Sequence, residues 1–122
     1  RRDCVIHLEA ARPLMIHTDP ELLKRVIQNI LSNCLRYADH EILIRMSTDG
    51  NSLILLIQDD GPGFLEKELP HIFERFYQGT KKEGSTGLGL AIVDSICRLQ
   101  NIGLKYYFQN GEHCFEISEE QI

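Results

Sequence analysis

Residues 19–38 dictate what must be built around them. Asp19-Pro20-Glu21 is a strong helix start, with Asp as cap, Pro at the first helical position and an acid in the first turn. At about 100° per residue, Leu22, Leu23, Val26, Ile27, Ile30, Leu31, Cys34, Leu35 and Ala38 fill one broad arc. Lys24, Arg25, Gln28, Ser32 and Arg36 take the opposite side. A helix so one-sided needs an apolar layer to lie on. Strand patterns flank it to supply one.

Residues 5–9 and 14–17 read as short strands interrupted by Arg12-Pro13. Ile42, Ile44 and Met46 alternate with Leu43, Arg45 and Ser47, as a strand would. Asp49-Gly50-Asn51 is a turn, and residues 53–58 complete a hairpin. Residues 61–86 are rich in glycine, proline and charge, with one helical turn expected around residues 69–76. A second helix is predicted over about residues 87–99, then a closing hairpin of 104–108 and 114–118 around Asn110-Gly111. Helices and strands alternate in blocks, which predicts an α+β two-layer sandwich. At 122 residues and 43% hydrophobic content, the chain has room for one ordinary domain and not two.

Other classes are disfavoured. A net charge of -5 argues against a general nucleic-acid or anionic-membrane surface. No apolar run approaches the roughly 18 residues of a membrane span, and there is no signal-peptide pattern. Cys4, Cys34, Cys97 and Cys114 lack CxxC spacing and read as reduced thiols of a core. The first residue is Arg1, the start expected of a piece of something larger.

Two glycine-rich signals carry chemistry. Gly84-Ser85-Thr86-Gly87-Leu88-Gly89-Leu90 feeds directly into the second helix, and Asp59-Asp60-Gly61-Pro62-Gly63 follows the second strand of the first hairpin. Glycines in such places let backbone N–H groups approach an anion, and a helix start adds its positive dipole end. Together they suggest a nucleotide. Asp59 could accept a hydrogen bond from the exocyclic amine of adenine and would repel the carbonyl of guanine; an ordinary Asp-Gly turn is the alternative. Asn33 breaks the pattern of the long helix, for it falls inside the apolar arc, with Asn29 at its edge and Tyr37 one turn later. A core amide is either bonded to a neighbouring strand or an oxygen ligand for a hard cation such as magnesium. Spacing removes three rival motifs. In Gly79 to Ser85 the lysine position of a phosphate loop is Ser85. The segment before Gly87 is polar, where a dinucleotide fold needs a strand. In His40-Glu41 the second histidine of a zinc motif is replaced by Ile44.

These residues form a set. Asn29-Ile30-Leu31-Ser32-Asn33-Cys34-Leu35-Arg36-Tyr37 resembles the asparagine box of sensor histidine kinases, and Asp59 to Gly63 their first glycine box. Ile72-Phe73-Glu74-Arg75-Phe76-Tyr77 resembles their phenylalanine box, and Gly84 to Val93 their second glycine box. Order and spacing match across nearly the whole chain. The resemblance implies the catalytic ATP-binding domain of a two-component kinase. Its fold, the Bergerat type shared with DNA gyrase B and MutL, is a mixed, mostly antiparallel sheet against about three helices.

By position, the resemblance implies ATP and Mg2+ as ligands, with Asn33 as principal metal ligand and Asn29 assisting. Arg36 stands where a phosphate-contacting lysine is usual, and Arg75 could reach phosphate or partner helices; these two are the expected catalytic cations. Tyr37 would line the adenine pocket, Asp59 would read the amine, and Gly61 and Gly63 would admit the base. Phe73 and Phe76 would anchor a lid carrying Lys81 and Lys82, while Thr86, Gly87, Leu88 and Gly89 would embrace the phosphates. Cys34 replaces a usual alanine, and Ser85 stands where a glycine is frequent, a change expected to stiffen the lid. None of His7, His17, His40, His71 or His113 has the context of a phosphoacceptor, so the histidine that receives phosphate is expected on a separate dimerising hairpin. The parent is then expected to be a membrane-anchored homodimer acting on a response regulator, with this domain on the cytoplasmic side. In the hydrolysing relatives a glutamate precedes the metal-binding asparagine by one turn. Asn29 holds that place here and cannot act as a base, so little ATP hydrolysis is expected.

Overall fold

The computed structural model describes residues 4–10, 13–77 and 89–120. Strand β1 is Val5–Ala10, helix α1 Pro20–Tyr37, β2 Glu41–Asp49, β3 Ser52–Asp59, α2 Gly89–Leu99, β4 Gly103–Gln109 and β5 Glu112–Glu120, with a 3-10 helix over Glu66–His71. The strands form one sheet in the order β1-β2-β3-β5-β4. β1 and β2 run parallel, and every other neighbouring pair is antiparallel. A parallel pair needs a crossover, which α1 supplies. The expected α+β sandwich with a mixed, mostly antiparallel sheet is present.

The helix begins as its residues dictate. Asp19 Oδ1 accepts from the backbone N–H of Glu21 at 2.9 Å and of Leu22 at 3.2 Å, with Pro20 just inside the helix. Val26, Ile30, Cys34 and Ala38 form its fully buried stripe, against Ile42, Leu55, Ile57, Phe115 and Ile117 of the sheet and Val93, Ile96 and Cys97 of α2. β3 alternates strictly: Leu53, Leu55, Ile57 and Asp59 are buried, and the residues between them are half-exposed. The last position of that inward series is a carboxylate.

Two expectations shift. Residues 14–17 make no strand. Leu14 and Ile16 are half-buried while Met15 and His17 are exposed, so the alternation is real, but the His17 N–H donates to the Glu119 carboxylate at 2.8 and 3.0 Å instead of a strand. The turn expected at 69–76 starts earlier, because Glu68 Oε1 accepts from the Leu65 N–H at 2.8 Å and the Glu68 N–H donates back to Leu65 O at 2.9 Å.

Asp60 ties the end of β3 to the loop after α1. Its carboxylate accepts from Asp39 N at 2.9 Å, from His40 N at 2.9 and 3.2 Å, and from Glu41 N at 3.2 Å. Partial burial pushes the Asp60 carboxyl up, but these backbone donors outweigh it and hold it below its ordinary 3.8. A carboxyl depressed on folding contributes stability that is complete above the unfolded value and is lost as pH falls through the folded one. Asp60→Ala should therefore lower unfolding stability by about 2 kcal/mol near neutrality. In urea titrations the loss should shrink as pH falls below 3.8 and through the lowered folded value of this carboxyl.

Candidate nucleotide site

β3, the turn after it, the C-terminal turn of α1 and the β4–β5 hairpin converge at one end of the sheet. Asp59 is 1% exposed there. Taking a carboxylate out of water costs several kcal/mol unless its oxygens are paired. Here only one is. Oδ1 accepts from the Gly61 N–H at 2.8 Å and lies 2.8 Å from His113 Nε2. Oδ2 is buried and accepts no hydrogen bond.

The glycines around it are required by close approach. A Cβ on Gly61 would sit 2.3 Å from the backbone oxygen of Tyr37 and 2.9 Å from Asp59 Oδ1. Gly63, at φ +77°, would place one 2.8 Å from the Phe108 ring. The two glycines thus bring the turn flat against α1 and β4 beside the carboxylate. Phe64 continues the wall, packing edge-on to Tyr106 with ring centroids 5.1 Å apart. Gly89, at the start of α2, has nothing among the described residues within 4 Å of its would-be Cβ.

A second unpaired oxygen lies on α1. Asn33 Oδ1 is buried without a hydrogen bond, so the strand-bonded asparagine reading does not describe this amide's oxygen. Asn29, one turn earlier, is half-buried. An orphan amide oxygen with a second amide one turn away is the hard donor set that magnesium takes when substrate phosphate supplies other ligands, so these residues fit the ion. Arg36 lies over the Tyr37 ring at 5.8 Å. Burial pushes the Tyr37 phenol up, with the Arg36 charge opposing. Cys34, between the two, is fully buried. Burial first, then the charge of Asp59, push its thiol up, so it stays protonated.

Of the expected site residues, Tyr37, Asp59, Gly61 and Gly63 are brought together at this end of the sheet. Phe73 is half-buried against the core. Phe76 differs: it is 65% exposed, at φ 65°, with Arg75 stacked over its ring at 5.3 Å. Thr86, Gly87 and Leu88, with Lys81, Lys82 and Ser85, lie outside the described residues. The four cysteines are free, and three of them are buried, as expected. His113 was the residue to miss. Its signal was present, since period two along His113, Phe115 and Ile117 puts all three on the buried face. That it faces Asp59 depends on the β3–β5 register.

Residues 18–119 match the family described as histidine kinase-, DNA gyrase B- and HSP90-like ATPases. The chain belongs to this family. Within it, its relatives are sensor histidine kinases. It is 30% identical over 116 residues to the sensor histidine kinase YkoH of Bacillus subtilis, covering 92% of this chain and 25% of that protein. The histidine kinase domain of the Escherichia coli osmosensor EnvZ superposes with a TM-score of 0.73 at 26% identity, over 96% of this chain and 75% of that one. The mycobacterial sensor histidine kinase MprB gives a TM-score of 0.81 at 23% identity, over 97% and 83%, which is a likeness of fold. The chain thus spans about a quarter of the length of the curated relative. It is a histidine kinase-type ATP-binding domain, and among its described residues no helix is long and apolar enough to cross a membrane.

The glycines of this kinase-type domain should separate by environment. Gly61→Ala must displace the Tyr37 backbone and should destabilise the fold by about 2 kcal/mol or more. Gly89→Ala should stay within about 1 kcal/mol of the parent. Urea denaturation of the two variants checks the contrast.

Proposed function

We propose that the domain binds Mg-ATP and donates the γ-phosphoryl group to a histidine on a separate dimerisation domain of its parent protein. The buried, unpaired Asp59 Oδ2 is the observation that carries this reading. A buried acceptor without a hydrogen bond of its own is completed by a ligand N–H. Adenine presents one there, and guanine presents a carbonyl. The Asn33 amide oxygen, with Asn29 assisting, would hold Mg2+, which supplies charge neutralisation at the phosphates.

Phosphoryl transfer asks the protein for alignment and compensation of charge more than for covalent help. Asp59 and the walls formed by Gly61, Gly63 and Tyr37 fix the base. By resemblance, Thr86, Gly87, Leu88 and Gly89 would contact the phosphates, and Arg36 and Arg75 would provide cationic charge. A neutral imidazole is already a nucleophile. Water needs a general base, and Asn29 is none, so hydrolysis should be slow. The parent is a homodimer anchored at a membrane, with this segment as one domain on the cytoplasmic side, and its phosphohistidine passes the group to a response regulator. The relatives named as sensor histidine kinases support the kinase part of this reading. The second reading, an ATPase or serine kinase of the same superfamily, is disfavoured by the amide at Asn29.

Calorimetric titration should show ATP binding that exceeds GTP binding. Asp59→Asn should weaken ATP by roughly tenfold to a hundredfold, the worth of one hydrogen bond to a buried charge. Asn33→Ala should remove the magnesium dependence while leaving adenosine binding. Phosphate release by the isolated domain should be negligible, and addition of a histidine-bearing hairpin in trans should yield acid-labile phosphoprotein. Equal binding of ATP and GTP, unchanged by Asp59→Asn, would contradict the reading.

A further inference from the structure

His113 is the one histidine among the described residues that is shut away from water, at 1% exposed; His7, His17, His40 and His71 are all exposed. It stands directly across from Asp59 in the β3–β5 register. Its Nε2 lies 2.8 Å from Asp59 Oδ1, yet neither ring nitrogen makes a hydrogen bond of good geometry. Aromatic rings hold it in place: Phe64 at 5.9 Å, Tyr106 at 5.7 Å and Phe115 at 6.4 Å between centroids. Two ring nitrogens and Asp59 Oδ2 are therefore three buried polar atoms, close together, each without a hydrogen bond. Buried polar groups are nearly always satisfied, and such a concentration marks a place completed by something else.

We propose that His113 is the positioning residue of the Asp59 site, and that its protonation sets how strongly the site prefers adenine over guanine. This rests on the adenine reading of Asp59 given above. A neutral imidazole with Nε2–H toward Oδ1 steadies the carboxylate by that one oxygen and leaves Oδ2 with full acceptor strength for an exocyclic amine. A protonated imidazole is a cation with donors on both nitrogens. It draws the carboxylate into an ion pair through Oδ1 and so weakens the acceptor offered to adenine, the ligand whose binding depends on that acceptor. Selectivity should therefore fall as pH falls. The other ionisable groups facing this pair are the Tyr106 phenol from β4, the Cys34 thiol from α1, Glu112 and Cys114 from β5, and Asp60 with Glu41 at the adjoining turn. The phenol and the thiols are all pushed up, first by burial, and so stay neutral through the range in which imidazole titrates.

The test is the ratio of ATP to GTP affinity, in which protonation of the phosphates cancels, measured by calorimetry between about pH 8 and about pH 5.5. The domain should lose selectivity at least about tenfold across that span. His113→Gln keeps an N–H donor but cannot become a cation, so its selectivity should hold level across the range. His113→Phe fills the same aromatic nest without a donor and should be less selective at both ends. A ratio independent of pH in the parent domain, or a pH profile unchanged in His113→Gln, overturns the proposal while the adenine reading stands. Failure of the parent to prefer ATP at about pH 8 overturns both. Should His113→Phe not fold, the parent and His113→Gln profiles still decide.

Discussion

A carboxylate held out of water at the end of β3 organises this molecule. Asp59 is buried by the same alternation that buries Leu53, Leu55 and Ile57, so the strand that builds the core also carries a charge to its edge. Leaving that charge half-paired costs on the order of 1–3 kcal/mol for the orphan oxygen alone. The surrounding structure must supply the stability that offsets it. The packing of α1 and α2 on the sheet does so, with Asp60 stitching the neighbouring loop by its backbone donors. On the proposed reading, a ligand that donates to Oδ2 satisfies the oxygen that the fold itself leaves unpaired.

The same logic extends along α1. Cys34 and Ile30 point into the core while Asn33, beside them, carries a second orphan oxygen. One helix thereby serves two ends: its buried stripe fixes its place on the sheet, and on the proposed reading its amides take up the cation. Glycines at 61 and 63 bring the turn close enough for the carboxylate, the Tyr37 backbone and the Phe108 ring to share one wall. Any side chain at Gly61 would push that wall apart.

Much of this was legible in the residues. Asp19-Pro20 announces the start of α1, and Gly50 and Asn110-Gly111 mark the two hairpins. Periodicity could not show pairing. The alternation at residues 14–17 reports which side chains face inward, and says nothing of whether a neighbouring strand is there to bond with. Likewise Pro70 and the acids around it suggested a turn, but its start was set by the Glu68 carboxylate reaching back to Leu65. His113 illustrates the deeper limit. Its burial can be read from period two, whereas its partner is fixed by a β3–β5 register that depends on the whole sheet order.

The account turns on the base edge that Asp59 meets. A crystal structure of the domain with a non-hydrolysable ATP analogue and Mg2+ tests this most directly. It should show the exocyclic amine of adenine within hydrogen-bond distance of Asp59 Oδ2, and the metal on the Asn33 amide oxygen. An adenine ring bound elsewhere, with Oδ2 still unpaired beside it, would contradict the central claim.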